Sequence, residues 1–528
     1  MFHICNTKED KNMFNKNALS ISLISLLILV GLATPGYAEK VLRIGTLGSD
    51  AISLDPHMST KSQDKIIFPL IFNGLVRFKP GTADLNTIEP DLAESWEVSD
   101  DQLVWTFKLR HGVMFHGDYG ELTADDVVFS LAKAGEKTTS SAAKEYAAVQ
   151  SVEAVDPYTV KITLSEKVPF FLGSVLNYHG GFIVSKKAFE ALGDQAPMNP
   201  IGTGPFAFVK YQSKRFVELK ANADYFRGKP LIDKINYRYM PDEATRELAF
   251  DRNEVDLFYG RREARWVQSQ AKKKNTKVDV FGLGELRNLH LNVSQKPLDD
   301  IRVRKAIAYA VNRQGLVTFI GPEVCSPANS VVPAGYLGHS DDATVYPHDL
   351  AKAKALLAEA GFAKGLTLKA VITKVESLRL PMTVIQEQLR LAGINLDLQV
   401  VEHSAFHKLI RQNQSSLVLY GASRFPVADV YLSQFFLSDS IVGTPTGVTN
   451  FSHCKVADDD IRNAKTAVDL KNQINLWAAA QDKIQKDVYA VPLFEQYLVW
   501  CRKANLDYGY KLENSLSNGP LITEKTNL

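Results

Sequence analysis

Residues 103–110 alternate strictly: Leu103, Trp105, Phe107 and Leu109 form one apolar row, and Val104, Thr106, Lys108 and Arg110 lie between them. A period of two is the signature of a strand with one buried face. Upstream, Trp96-Glu97-Val98 is a shorter run of the same kind, and Ser99-Asp100-Asp101 between the two supplies turn chemistry. The pair reads as an antiparallel hairpin. Gly112, Gly117 and Gly120 then break the pattern, and Thr123 with Asp126 three residues on marks a helix start, hydroxyl and carboxylate meeting the free N–H groups of the first turn. His116, Gly117 and Asp118 fall on the connecting loop with no nucleophile near them in sequence, which assigns His116 to the scaffold rather than to catalysis.

The rest of the chain mixes both periods. Strands are expected over 41–45, 160–164 and 182–184. The stretch DIRVRKAIAYAV over 300–311 sets Ile301, Ala306, Ile307 and Ala310 at helical spacing with acids at its N-terminal end, where the helix dipole favours them. A second helix over 349–360 opens on Asp349 and stops at Gly361. A strand over 366–372, a helix over 380–391 and a strand over 396–401 follow, an order that implies α/β structure with parallel pairing. The first half is richer in hairpins. No internal repeat, low-complexity segment or Pro/Gly linker interrupts the chain, so strands rather than a loose tether join its parts.

Length and charge narrow the classes. A chain of 528 residues exceeds one ordinary domain and supports two large lobes. With 61 basic and 59 acidic residues the net charge is +2, and the one basic run, Lys272-Lys273-Lys274, reads as a solvated helix face; nucleic acid is not the expected partner. The N-terminus carries Lys11 and Lys16 around a second candidate start, Met13, then the apolar LSISLISLLILVGLA, then Pro35, Gly36 and Ala38. This is the pattern of an export signal over 1–38, cleaved after Ala38. The apolar run is shorter than the roughly 20 residues a membrane span requires. Without the signal the net charge is near +1, because Lys8, Lys11 and Lys16 leave with Glu9 and Asp10. Three cysteines stay, Cys325, Cys454 and Cys501, an odd number that permits one disulfide and one free thiol without deciding the pair. There is no Gly-x-Ser-x-Gly, His-Glu-x-x-His or phosphate-cradling glycine loop, and no enzyme is expected.

Several motifs run in one order along the chain: Leu92-Ala93-Glu94-Ser95-Trp96, Phe107-Lys108-Leu109-Arg110, Phe115-His116, Thr123-Ala124-Asp125-Asp126-Val127-Val128, Gly202-Thr203-Gly204-Pro205-Phe206, Asn222 with Asp224-Tyr225, Gly228-Lys229-Pro230, and Leu291-Asn292 followed by DIRVRKAIAYAVNR from 300 to 313. In these the chain resembles the extracellular solute-binding proteins of family 5, the peptide and nickel group of ABC importers. The resemblance implies an α/β, two-lobed clamshell with mixed sheets and an extra subdomain in the first lobe. It implies lobe I over 39–290 plus 491–528, with a hairpin-rich subdomain about 75–200, and lobe II over 291–490, the crossovers lying near 288–293 and 489–494. It further implies a monomeric periplasmic protein that captures a small molecule or short peptide without a cofactor and delivers it to an ABC permease in the inner membrane.

The resemblance also points to ligand positions. Peptide-binding members carry Gly-Trp and a nearby Asp that meets the peptide ammonium. Here the matching stretch reads Tyr420-Gly421-Ala422-Ser423-Arg424-Phe425-Pro426. Ala422 stands for the Trp and Arg424 falls near the Asp, unless Asp429 does that Asp's work. A guanidinium suits a carboxylate or phosphate and repels an ammonium, so the expected ligand is acidic; an ordinary di- or oligopeptide binder, or a sensor or chaperone using the same clamshell, is the alternative. Tyr420, Ser423, Arg424 and Phe425 are therefore candidate ligand residues. Arg262, Arg265 and Trp266 form a second group, in which Trp266 stacks on the ligand or, alternatively, is buried in the lobe. Tyr178 and His179, on the loop before 182–184, form a third. His403 and His407 have the i, i+4 spacing of a metal pair but no evident third ligand, and no metal is expected.

Overall fold

Two long strands, Thr276–Leu291 and Ala490–Lys503, form the spine of the molecule and pair antiparallel along most of their length. At about 3.3 Å per residue the longer one spans roughly 50 Å, more than one core is wide. The computed structural model describes residues 39–528 apart from 60–62, 178, 445–446 and 468, and apart from the side chain of His179. The chain divides into Met1–Lys40 and Val41–Leu528, and everything below concerns the second unit. The export signal, its cleavage after Ala38, and Tyr178 lie outside the described residues.

The strands change apolar cores along their length. Phe281, Leu498 and Trp500 pack with Ile44, Phe68 and Tyr237, whereas Leu289, Leu291, Leu493 and Phe494 pack with Val303, Ile307 and Ile385. Their outer neighbours change accordingly. Leu257–Tyr259 pairs with residues 500–502, and Val41–Thr46, Lys234–Tyr239, Phe216–Ala221 and Phe206–Gln212 extend the sheet on that side. Leu417–Ala422 pairs with residues 286–291 on the other side, and Cys325–Pro327 pairs with residues 494–496. The switch coincides with a register shift between Phe281 and Glu285, where Gly282 and Gly284 sit.

Only glycine fits at 284: an added Cβ would fall 1.8 Å from the Gln496 carbonyl oxygen, which is backbone and has nowhere to go. Gly284→Ala is expected to cost about 1–3 kcal/mol in chemical denaturation, the range for overpacking a filled site. A midpoint equal to that of the parent protein would remove this account of the crossover.

The hairpin stands as expected. Ala93–Val98 pairs antiparallel with Val104–Leu109, and with Thr159–Leu164 and Val149–Asp156 they form a separate four-stranded sheet with its own apolar core. Helix Ala124–Ala134 begins in a capping box of Thr123 and Asp126. His116 is buried, its Nε2 lies 2.9 Å from the Gly204 carbonyl, and burial lowers its pKa to about 4; it ties the hairpin loop to the Gly202-Thr203-Gly204 turn. Leu366–Thr373 and Ile394–Val401 pair in parallel, with helix Glu376–Ala392 between them, and Asp349 caps helix Leu350–Glu359.

The strand expected over 182–184 does not form. Phe182 makes a single bridge to Gly74, and the Ile183 N–H donates to the Asn73 carbonyl. The stretch is confined between the turn His179–Gly181 and Ser185, which caps helix Lys186–Leu192. Three residues between two such constraints bridge once and continue. Cys325, Cys454 and Cys501 are all buried free thiols, each pushed up to about 12 by burial.

Candidate functional site

A cleft of 440 Å³ opens between residues of the two halves of the chain. One wall carries Ser59, Lys65, Ser141, Glu145, Val168, Pro169, Ser174 and Val175; the other carries Ser423, Arg424, Phe425, Val427, Asp429, Val430 and Gln434. Its size and mixture of apolar surface with a few charged groups are those of a small-molecule site. A smaller cavity of 140 Å³ behind Lys65 is walled mostly by apolar side chains such as Phe68, Phe72 and Leu516. Two of its charged members pair within the protein: Arg77 with Glu89, and Asp91 with Arg227.

Arg424 lies just after strand Leu417–Ala422, where the chain leaves the sheet before helix Ala428–Phe435. The Tyr336 hydroxyl clamps the turn by accepting from the Arg424 N–H at 3.1 Å and donating to its carbonyl at 2.7 Å. The side chain is oriented by neutral groups. Nε donates to Gln434 Oε1 at 2.5 Å and Nη1 to the Ser423 carbonyl at 2.9 Å, and the guanidinium stands 5.4 Å from the centre of the Phe435 ring. Among the described residues no carboxylate lies within ion-pair distance of Arg424, and its Nη2 has no hydrogen bond. Facing it, Lys65 is lowered to about 8 by burial and then by the charge of Arg424, with Glu145 acting in the opposite sense. Two cations that repel across an open cleft make a place for an anion.

Glu145 is held in the wall by its neighbour. The Tyr146 hydroxyl donates to the Gly180 carbonyl at 2.7 Å, and Gly180 has no room for a side chain, since a Cβ there would meet the Tyr146 ring at 2.6 Å. Burial raises the Glu145 carboxyl, and its own backbone N–H, then the charges of Lys65, Lys144 and Arg424, offset part of that. Asp429 is also raised by burial; Lys465 offsets part of that by its charge and Ser433 Oγ lies 3.5 Å from Oδ2, while the buried Oδ1 has no hydrogen-bond partner among the described residues.

Of the nine candidate residues, Ser423, Arg424 and Phe425 line this cleft. Tyr420 pairs with Asn288 in the sheet and packs between Phe435 and Phe451. The second group is not brought to the cleft. Arg262 precedes helix Ala264–Ala271 rather than sharing a face of it with Trp266, and its Nη1 binds Glu285 Oε2 at 3.2 Å. Arg265 is exposed on the helix. Trp266 is buried edge-on against Phe258 with its indole N–H on Glu247 Oε2 at 3.1 Å, so the face available for stacking is covered by protein. Tyr178 and the His179 side chain are outside the described residues. His403 and His407 approach each other through their Nε2 atoms at 3.2 Å, and among the described residues no group of three or more His, Cys, Asp or Glu side chains is placed to hold a metal. Lys65, Glu145 and Gln434 were not singled out from sequence: none belongs to a motif, and only folding brings 65, 145 and 424 to one cleft.

Beneath the cleft wall lies a second charged cluster at the strand crossover. Arg287 Nη2 meets Glu285 Oε2 at 2.6 Å and donates to Gln496 Oε1 at 3.1 Å. Gly421 makes room for it, since a Cβ at 421 would sit 1.8 Å from Arg287 Nη1. Burial pushes the Glu285 carboxyl up, but Arg287 and Arg262 outweigh it and hold it down at about 2.

Comparison with known proteins places this geometry. The profile of the bacterial extracellular solute-binding proteins, family 5 Middle, matches residues 87–442. The crystal structure of MoaA from A. tumefaciens R10 in complex with mannopinic acid is 46% identical, covers 93% of this chain and 100% of its own, and superposes with a TM-score of 0.83. The Helicobacter pylori periplasmic binding protein DppA in complex with the peptide STSA is 29% identical over 92% of this chain and 98% of its own, with a TM-score of 0.76. The glutathione-binding protein GsiB of Escherichia coli O1:K1 / APEC is 28% identical over 93% of this chain and 98% of its own length. The mixed α/β fold is that of the periplasmic binding proteins, and their two-lobed clamshell agrees with the two cores described above.

Proposed function

Because this chain belongs to the bacterial extracellular solute-binding proteins of family 5 and is the substrate-binding component of an ABC importer, we propose that its cleft captures a small solute through an acidic group seated between Arg424 and Lys65. The observation that carries this reading is the Arg424 guanidinium on the wall of the cleft, oriented by Gln434 and Ser423 but left without a carboxylate partner among the described residues. A ligand carboxylate answers both cations and relieves their repulsion. MoaA, crystallised with mannopinic acid, supports an acid of that kind over an ordinary peptide. Mannopinic acid is accordingly the first probe for titration calorimetry, and micromolar or tighter binding is the expected result. Tight binding of neutral or cationic peptides, with no response to acids, would overturn the reading.

The protein in this account performs no chemistry on its ligand. It is exported by the signal over 1–38, cut after Ala38, works in the periplasm as a monomer and docks on an inner-membrane ABC permease. The two lobes divide near 290 and 491, a few residues beyond the register shift at which the long strands change cores, and the sheet around the hairpin forms a subdomain of the first lobe.

Lys65 makes the binding depend on pH. With a pKa of about 8 in the open cleft, it is charged at neutral pH and neutral well above 8. A bound anion favours the charged form, so the complex binds more protons than the free protein above that value. Affinity for an acidic ligand is expected to be flat below pH 8 and to fall above it, by up to about tenfold per unit. Calorimetry at pH 7 and pH 9.5 in two buffers of different ionisation enthalpy reads both the fall and the proton uptake, and a flat profile with no uptake rules the Lys65 contact out.

A further inference from the structure

Phe425 reaches across the cleft. It belongs to the wall that carries Arg424, yet the tip of its ring lies against Gly173, next to Ser174 and Val175 of the facing wall. A side chain at 173 would press on that tip, since an added Cβ would fall 2.8 Å from Phe425 Cζ. Phe425 is buried in one apolar cluster with Phe78, their ring centres 6.2 Å apart, and Leu85 and Ile88, which border Gly173, pack on the same cluster. The cavity of 140 Å³ lies behind this pair of rings. Phe78 lines the cavity, Phe425 lines the cleft, and Lys65 lines both. The two rings and Lys65 therefore stand between two spaces. The space beyond them has room for an aromatic ring, because an apolar cavity of about 150 Å³ takes benzene.

We propose that Phe425 sets the length of the solute: it ends the cleft against Phe78, so that the protein takes a short acid and excludes acids whose apolar tail would run on into the cavity. This rests on the reading of the cleft as the site of an acidic solute. An ordinary ligand contact at 425 makes a different forecast, since its truncation would weaken short and tailed acids alike.

The test compares N-acetylglutamate with N-(4-phenylbutanoyl)glutamate, which share their charged groups and differ in the tail. Each is titrated by calorimetry into the full mature protein, Phe425→Ala and the double variant Phe425→Ala with Leu516→Trp, with thermal unfolding as the folding control. Leu516 lines the cavity and not the cleft, so a tryptophan there fills the space that the tail would enter. The expected result is that the parent protein binds the short acid about tenfold or more tighter than the tailed one, that Phe425→Ala gains about tenfold for the tailed acid, and that Leu516→Trp takes the gain away. Should Phe425→Ala fail the folding control, Phe425→Leu replaces it with a smaller gain expected, and the order of the two acids on the parent protein needs no variant. Equal or tighter binding of the tailed acid by the parent protein, a uniform loss in Phe425→Ala, or a gain that survives Leu516→Trp overturns the end wall and leaves the acidic cleft intact. Failure of both acids to bind the parent protein overturns the acidic cleft itself, and this inference with it.

Discussion

Arg424→Ala is expected to empty the protein of its ligand. The guanidinium has its Nε and Nη1 committed to Gln434 and Ser423 and stands against the Phe435 ring, so its geometry is set before a ligand arrives. A pre-oriented fork loses little entropy on pairing with a carboxylate. Truncating one partner of a desolvated charge pair costs about 2–5 kcal/mol, a loss of roughly 30-fold to several thousandfold in affinity. Stability should change little, because no ion pair of the folded protein involves this side chain among the described residues. Arg424→Lys keeps the charge without the fork and should recover part of the affinity. Native mass spectrometry of the protein purified from its own periplasm reads the outcome directly: a small acid on the parent protein, absent from Arg424→Ala and partly restored in Arg424→Lys. The same acid retained by Arg424→Ala at unchanged affinity would move the binding site elsewhere.

Glu285→Gln carries the second large effect, on stability rather than on binding. Glu285 stands at the register shift where the two long strands change cores, and it is the shared acceptor of Arg262 and Arg287. Without its charge, Arg287, 5% exposed, is left in the interior with only the Gln496 oxygen. Breaking a fully buried pair costs about 3–5 kcal/mol. Because 32% of the Glu285 side chain still meets solvent, the expected loss is smaller, about 2–3 kcal/mol. The sign with pH follows from the depressed pKa. The folded carboxyl titrates near 2 and the unfolded one near its ordinary 4.5, so the stabilisation is complete above 4.5 and disappears as pH falls toward 2. Denaturation midpoints at pH 7 and pH 3 should therefore converge between the parent protein and the variant at low pH. Equal midpoints at pH 7, or a difference that grows on acidification, would remove Glu285 from this role.

Much of this architecture is legible along the chain because its signals are local. The alternation around Trp105, the Thr123 and Asp126 pair, the Asp349 cap and the strand–helix–strand order after Gly365 each depend on neighbours within a few residues, and each element forms as expected. The short run 182–184 fails for the converse reason, since its partner is decided by Asn73 and Gly74, more than a hundred positions away. Trp266 shows the same limit for side chains. An indole four residues after an arginine has the chemistry of a ligand platform, and nothing local reveals that Glu247 and Phe258 already enclose it.

What the sequence by itself determined is the set of strong local elements, the family pattern and Arg424 as a candidate ligand residue. What only the tertiary structure decided is the company Arg424 keeps. Lys65 and Glu145 reach it from hundreds of residues away, and Gln434 turns it from the next helix. Charge–charge energies depend on separation in space and on the water excluded from between the groups, and neither quantity is a function of position along the chain.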